Sequence, residues 1–294
     1  MTKLEKLTYF PGCTLKDTAS DFEISGMAVM EALGYQLEEL ERWNCCGTVF
    51  SLTDDDLMHQ IAPVRDLLRA QEAGSEEIIA LCSMCYATLK RTSLFVNGNQ
   101  ERLDKINAFM NKEIDYEGKV SVHHLLEVLR DRIGWENIGE RVTNPLVGLS
   151  VAPFYGCTLL RPQEIAIDDP DAPTVLQDLT QALSATPIDY GYSVECCGAY
   201  QVVDHRDVVV ERTHRIMSAA RRAGADVIVT SCPLCHFNLS DTQKELVRTI
   251  PDYEEMPIIY FTQLMALAYG VEAGKIPASL KAKVKRLQTV KGEG

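Results

Sequence analysis

The strongest constraint on this chain is a pattern of cysteines that occurs twice. In the first half, Cys13 is followed after 31 residues by the adjacent pair Cys45 and Cys46, and after 35 more by Cys82 and Cys85. An adjacent pair closes only a strained disulfide, because its Cα atoms are closer than the usual separation in a disulfide. The pair therefore calls for an explanation other than a structural cross-link.

The second half repeats the arrangement with similar intervals. Cys157 is followed after 38 residues by Cys196 and Cys197, and after 34 more by Cys232 and Cys235. Every one of the 10 cysteines in the chain belongs to this pattern.

The residues around the cysteines repeat as well. The stretch YFPGCTL corresponds to FYGCTLL, NCCG to ECCG, and RAQEAGSEEIIALCSMCYATL to SAARRAGADVIVTSCPLCHFNL. Such self-similarity indicates an internal duplication. We expect two domains, 1–145 and 146–294, because the Asn144-Pro145 dipeptide favours a break in regular structure near this boundary.

Local patterns place the cysteines at recurrent points of an α/β fold. The β-rich runs KLTYF and LSVAPF end just before Cys13 and Cys157, and each C-x-x-C follows a helical segment and a short apolar run. Helices alternating with strands predict, for each of the two similar cysteine-rich domains, a mainly parallel sheet flanked by helices. Sites in such sheets lie beyond the carboxyl ends of the strands, where the cysteines would meet.

Composition excludes several classes of function. The chain carries 42 acidic and 29 basic residues, a net charge of −13, which disfavours electrostatic binding of nucleic acid. No apolar run approaches the roughly 18 residues of a membrane span, and the N-terminal residues do not resemble a secretory signal. We therefore expect a cytoplasmic protein. In that reducing compartment, 10 cysteines indicate that the protein binds a metal ion or a metal cluster or takes part in redox chemistry.

The number of cysteines in each half is compatible with several kinds of metal or redox site. Structural zinc takes four ligands, and a cubane iron–sulfur cluster also takes four cysteines, whereas each half offers five. Either one thiol per half is a spectator or redox partner, or the group is a cluster in which one of the adjacent thiolates bridges two irons. A thioredoxin-like disulfide at C-x-x-C is a further alternative, although it requires neither the distant cysteine nor the adjacent pair.

The duplicated pattern resembles the CCG domain found twice in the B-subunit of heterodisulfide reductase, over nearly the whole chain. In that family each CCG domain carries a non-cubane [4Fe–4S] cluster held by five cysteines. The resemblance implies two such clusters and assigns the cysteines a role both as ligands and in catalysis. The implied sets are Cys13, Cys45, Cys46, Cys82 and Cys85 for one cluster, and Cys157, Cys196, Cys197, Cys232 and Cys235 for the other.

The resemblance also implies an activity. The family reduces a disulfide of the coenzyme M–coenzyme B type to two thiols between its clusters, so the chain would be an oxidoreductase acting as one subunit of a complex. His236, next to Cys235, is a candidate proton donor. The sequence has no ferredoxin-type cysteine run and no G-x-G-x-x-G. The implied electron-supplying partners are separate ferredoxin-like and flavin-containing subunits of the heterodisulfide reductase complex, with a hydrogenase or formate dehydrogenase behind them.

Two alternatives remain open at this stage. The chain could be an electron-relay component of a bacterial flavin-based bifurcating or dehydrogenase complex that acts on a protein disulfide or another disulfide. It could also be a zinc-binding scaffold. An open cavity between the two cysteine sets would favour the reductase, and a sealed interface would favour the relay.

Overall fold

The structure, a computed structural model, describes residues 4–48 and 57–290. Within these residues the strands form two four-stranded sheets, one in each half, and every strand pair is parallel. The first sheet has the order β2-β1-β3-β4 and the second the order β6-β5-β7-β8. The predicted fold of two α/β domains with parallel sheets is confirmed. The strands are Glu5–Phe10 (β1), Tyr35–Glu39 (β2), Glu77–Ala80 (β3), Ser121–His124 (β4), Ser150–Phe154 (β5), Thr186–Pro187 (β6), Val227–Thr230 (β7) and Ile258–Tyr260 (β8).

Helices connect the strands in both halves. Those of the first half are Gly12–Leu15 (α1), Ser20–Ala32 (α2), Ile61–Glu72 (α3), Ser83–Asn97 (α4), Gln100–Phe109 (α5), Leu125–Glu127 (α6), which continues into a π-helical turn at Val128–Ile133, and Trp135–Glu140 (α7). Those of the second half are Val175–Ala182 (α8), Arg206–Arg222 (α9), Pro233–Thr249 (α10), Phe261–Tyr269 (α11) and Ala278–Val290 (α12). Short 3₁₀ turns occupy Leu57–Gln60, Gln163–Ile165 and Ala199–Val203.

The boundaries of the helices follow from glycine and from the C-x-x-C motifs. Helices α3 and α9 end just before Gly74 and Gly224, whose φ angles of 72° and 89° are left-handed and suit a residue without a Cβ atom. Cys82 and Cys232 are the N-cap residues of α4 and α10. Each C-x-x-C therefore opens a helix.

The order of the strands explains why the cysteines gather. In each sheet the first and third strands of the half lie side by side, and the chain leaves them toward opposite sides of the sheet. This switch in connection direction opens a crevice at the carboxyl ends of the two strands. Cys13 follows β1 and Cys82 follows β3, while Cys157 and Cys232 occupy the matching places after β5 and β7.

The two halves share a continuous apolar core. Phe22 of α2 stacks on Tyr260 with ring centroids 4.2 Å apart and meets the ring of Phe261 edge-on at 5.5 Å. Beside them the hydroxyls of Ser25 and Thr262 lie 2.6 Å apart. No helix in the described ranges is long and apolar enough to cross a bilayer.

Replacing Phe22 with Ala tests whether this contact stabilises the pairing of the halves. Phe22 is fully buried, so Phe22→Ala should lower the free energy of unfolding by about 3–5 kcal/mol. Urea unfolding under anaerobic conditions measures the change. The matched control Phe109→Ala removes a ring that is 56% exposed and should change stability by less than about 0.5 kcal/mol. Equal effects of the two substitutions would contradict the role given to Phe22.

Candidate functional site

The structure brings the five cysteines of the first half together at the crevice. Cys13 lies in α1, the adjacent pair in the loop after β2, and the C-x-x-C at the start of α4. The Cys13 and Cys45 sulfur atoms are 3.9 Å apart, and those of Cys46 and Cys85 are 3.7 Å apart. Cys13 and Cys45 are exposed, whereas the other three thiols are buried. The set therefore has one face toward solvent and one toward the core.

A glycine before the first cysteine of each set makes room for the last thiol of that set. Gly12 has a φ of 68°, and a Cβ atom added to it would lie 2.7 Å from the sulfur of Cys85. Gly156 has a φ of 66°, and its added Cβ atom would lie 3.1 Å from the sulfur of Cys235. The backbone before the first cysteine thus packs directly against the C-x-x-C thiol.

The first CCG loop is held by a buried carboxyl group. The Asn44 backbone N–H donates to Asp66 Oδ1 at 2.8 Å, and the Asn44 side-chain amide donates to the carbonyls of Cys45 and Ala62. Asp66 is fully buried, and this burial raises its pKa to about 8. The carboxyl group is therefore mostly neutral at pH 7, and it holds the loop with little fixed charge.

The second CCG loop is held by two guanidinium groups. Arg212 donates through Nε to the Cys196 carbonyl at 2.7 Å and pairs with Glu195 at 2.9 Å. Arg161 donates to the Val194 carbonyl at 3.2 Å. The two halves thus support the same loop with groups of different charge.

Two N–H groups point at sulfur atoms of the second set. The Gly198 backbone N–H lies 3.4 Å from the Cys196 sulfur, and the Asn238 side-chain amide lies 3.4 Å from the Cys197 sulfur. Asn238 is fully buried. Such donors stabilise thiolates, which are the metal-binding form of cysteine.

One thiol of each adjacent cysteine pair has a lowered pKa, which favours its thiolate form. Hydrogen bonds with Cys45 and Cys85 lower the pKa of Cys46 to about 5. In the second half, hydrogen bonds from Cys157 and Cys197 lower the pKa of Cys196 far below that of an ordinary thiol. The low-pKa member is the second cysteine of the first pair and the first cysteine of the second pair.

The donor sets fit an iron–sulfur group. All 10 cysteines are free thiols, and soft thiolates are the ligands that such clusters use. Among the described residues, no three or more Cys, His, Asp or Glu side chains are arranged to hold a single metal ion. The five thiols of the first set exceed the four ligands of a structural zinc site.

A cavity of about 460 Å³ opens beside the first set, and all five of its cysteines line the walls. The opposite wall comes from the second half and includes Tyr200, Leu234, His236 and Phe237. Of the described residues on the walls, none is a cysteine of the second set. The cavity therefore lies between the two halves but is in contact with the first cysteine set alone.

Tyr200 reaches from the second CCG loop toward the first. Burial, together with the nearby Cys232 and Cys46 thiols, raises its pKa to about 12, against a hydrogen bond with Thr48 that lowers it. The ring thus lies close to cysteines of both sets while it lines the cavity.

At equivalent positions, each half carries one tyrosine and one histidine, and their order along the chain is reversed between the halves. His236 stacks on Tyr260 with centroids 4.5 Å apart, and both rings line the cavity. In the first half these places hold Tyr86 and His124, which meet edge-on at 5.6 Å. The Tyr86 hydroxyl donates to the Ile165 carbonyl, and His124 is fully buried. Of these two histidines, the one that reaches the cavity is therefore His236, where the sequence predicted a functional residue.

Comparison with known proteins assigns the family. Residues 7–90 and 151–240 each match the cysteine-rich CCG domain. The chain is 30% identical over 280 residues to a heterodisulfide reductase B-subunit-like protein of Archaeoglobus profundus, covering 92% of this chain and 93% of the relative. The chain belongs to the heterodisulfide reductase B-subunit family. The family supports an oxidoreductase that works with iron–sulfur groups as part of a complex.

Other relatives carry different names. The chain is 30% identical over 274 residues to the 8-methylmenaquinol:fumarate reductase membrane anchor subunit of Wolinella succinogenes, covering 92% of this chain and 95% of the relative. It is 28% identical over 274 residues to the B-subunit of the ferredoxin/F420H2-dependent CoB-CoM heterodisulfide reductase of Methanosarcina acetivorans, covering 91% and 90%.

A solved structure of a hypothetical protein from Helicobacter pylori has the same fold. It superposes with a TM-score of 0.73 at 13% identity, and the match covers 95% of this chain and 51% of that one.

Sequence reasoning missed several residues that support the site. The position of Asn238, three residues after Cys235, was a usable signal because it places the amide one helical turn beyond the C-x-x-C. Tyr200 lies two residues after the glycine of the second CCG motif, so its position near the site could also have been inferred. Asp66 and Arg212 lie in helices with no local motif, and only the fold brings them to the CCG loops.

Replacing Gly12 with Ala tests the packing of backbone against thiol. The added methyl group would displace the Cys85 sulfur, so Gly12→Ala should lower the iron content of the anaerobically purified chain by up to about half. Gly34→Ala is the matched control, since Gly34 also has a left-handed φ of 92° but nothing lies within 4 Å of its added Cβ atom. Both variants should lose about 1 kcal/mol of stability through backbone strain. Iron retained in Gly12→Ala would contradict the proposed steric role.

Proposed function

We propose that the protein is the disulfide-reducing subunit of a heterodisulfide reductase-like complex. The overall reaction is R–S–S–R′ + 2e⁻ + 2H⁺ → RSH + R′SH, with both electrons supplied by a partner. The observation that carries this proposal is the cavity of about 460 Å³ that borders the first cysteine set and lies between the two halves. A cluster held by the five thiols would fill the part of this cavity beside them, and the walls from the second half, with Leu234 and Phe237, would bound the rest of it as space for a substrate.

The cofactors that we propose are two non-cubane [4Fe–4S] clusters, one for each set of five cysteines. Five thiols in each set and the family assignment support this choice. The bound clusters would supply electrons, and the cluster of the first set would also supply iron sites for sulfur. We also propose that the two cluster domains meet near residue 145.

The residues of the second half would bind and orient the disulfide against the first cysteine set. Leu234 and Phe237 give the opposite wall an apolar surface, while Asp241 and Lys244 supply charges to the same cavity. His236 is our candidate for the proton donor because its ring faces the cavity and is held flat against Tyr260. Burial lowers the pKa of His236, against a hydrogen bond with the Ile258 backbone that raises it. To protonate a departing thiolate, the ring would therefore first take up a proton as negative charge develops beside it.

The substrate and partners are proposed from the family. A disulfide of the coenzyme M–coenzyme B type is supported by the name of the Methanosarcina acetivorans relative. We propose separate ferredoxin-like and flavin-containing subunits of the complex as electron-supplying partners, with a hydrogenase or formate dehydrogenase beyond them. The 10 free thiols support a reducing, cytoplasmic compartment.

A second candidate function is electron relay within a dehydrogenase or bifurcating complex. The name of the Wolinella succinogenes relative, which belongs to a methylmenaquinol:fumarate reductase, favours it. The second cysteine set also has no cysteine on the cavity wall among the described residues. The apolar side of α12 offers no support for direct membrane anchoring, because Leu280 and Val284 are buried in the core.

Filling the cavity separates the two functions. Ser240 lies on α10 and lines the cavity, so Ser240→Trp should leave the iron content unchanged but lower disulfide reduction at least about tenfold by blocking productive binding. The assay supplies reduced viologen as electron donor and the coenzyme M–coenzyme B heterodisulfide as substrate, with glutathione disulfide for comparison.

The matched control is Leu94→Trp, which adds the same ring at an exposed position of the equivalent helix α4. This variant should retain full activity. Undiminished disulfide reduction in Ser240→Trp would contradict the assignment of the cavity. A wild-type protein that holds iron, exchanges electrons with viologen and reduces neither disulfide would establish the relay function instead.

A further inference from the structure

The two halves are duplicates, yet the surroundings of their adjacent cysteines differ in charge and in hydrogen-bond donors. At an offset of 150 residues, Arg212 occupies the place of Ala62, and Asn238 the place of Thr88. The first loop is instead tied to the buried carboxyl group of Asp66. These differences lie at the CCG motifs and at the helices that support them.

Asn238 puts a donor directly on a sulfur atom of the second set. Its amide lies 3.4 Å from the Cys197 sulfur and 2.9 Å from the Ala199 carbonyl, and the side chain is fully buried. In the first half, the Thr88 hydroxyl lies 2.9 Å from both the Thr48 hydroxyl and the Met84 carbonyl, and it donates its one proton to either of them. The second set therefore has a side-chain N–H bond to sulfur that Thr88 does not supply to the first set.

Arg212 adds a permanent positive charge to the second set. Its guanidinium group donates to the carbonyl of Cys196 at 2.7 Å. Its partner Glu195 offsets part of this charge, and the arginine side chain is 36% exposed, so solvent screens it further. The buried amide of Asn238 should therefore have the larger effect, and Arg212 the smaller one.

Both features favour a more negative group at the second set. Reduction adds an electron to a cluster, and hydrogen bonds to its sulfur ligands or nearby positive charge stabilise the added charge. We propose that the two halves are electrically unequal and that Asn238, assisted by Arg212, gives the cluster of the second half the higher reduction potential. Asn238 and Arg212 are thus positioning residues that act through the cysteines.

This inference rests on the proposed cofactors and deepens the proposed function. The second half, whose cysteines do not line the cavity, would be reduced first. The first half, which borders the cavity, would be reduced last. Electrons would then accumulate away from the substrate before the site facing it becomes fully reduced. The duplication would in this way separate storage of charge from contact with the disulfide.

The test is a redox titration of the anaerobic, iron-loaded protein followed by electron paramagnetic resonance. The wild type should show two midpoint potentials. Asn238→Thr, which installs the residue found in the first half, should lower the higher midpoint and leave the lower one unchanged. Thr242→Val is the matched control, because Thr242 is buried one turn further along α10 and its hydroxyl donates to the Asn238 carbonyl rather than to sulfur. This control should change neither midpoint.

Arg212 provides a second measurement that does not disturb the buried core. Arg212→Gln should lower the higher midpoint slightly, and Arg212→Lys should restore it, because lysine keeps the charge while changing the contact with the loop. A shift of equal size in both variants would indicate a structural role and overturn the electrostatic one. Unchanged midpoints in iron-loaded Asn238→Thr, or a shift confined to the lower midpoint, would overturn the proposal.

Failure of the proposed function is distinguishable from failure of this inference. A wild-type protein with two unequal midpoints and no disulfide reduction would refute the former and leave the latter intact. A protein that reduces disulfides, but whose two midpoint potentials are unaffected by these substitutions, would support the proposed function and refute this inference.

Discussion

The site depends on the crevice where two parallel strands of each half send the chain in opposite directions. This arrangement places the first cysteine after β1 or β5 and the C-x-x-C after β3 or β7, with the adjacent pair supplied by the loop that follows β2 or β6. Left-handed glycines then allow the backbone to approach the last thiol, as at Gly12 and Gly156. Five distant cysteines become one set because the topology of the sheet leaves them a common edge.

Duplication produced two similar sets in different surroundings. The first set borders the cavity and is supported by a mostly neutral carboxyl group, while the second is supported by arginines and a buried amide. The positions of Tyr86 and His124 in the first half are occupied by His236 and Tyr260 in the second. Of the two histidines, His236 lines the cavity and His124 does not. In the proposed function, the first half would provide the cluster that faces the substrate, and the second half the wall against which the substrate binds.

Much of this was accessible from the sequence, because local patterns carry it. The parallel α/β halves, the helix ends at Gly74 and Gly224, and the N-cap positions of Cys82 and Cys232 all follow from short-range signals. The buried Asp66 and the reach of Tyr200 toward Thr48 did not, since each depends on elements that are distant in sequence. The confinement of the cavity to one cysteine set is likewise a property of how the two halves pack.

The most direct test of the central claim is the content of iron, acid-labile sulfide and zinc per chain in protein purified without oxygen. Two five-cysteine clusters predict about eight irons and about eight sulfides per chain, with little zinc. Iron near zero together with about one or two zinc ions would contradict the account and leave a zinc-binding protein with the same fold.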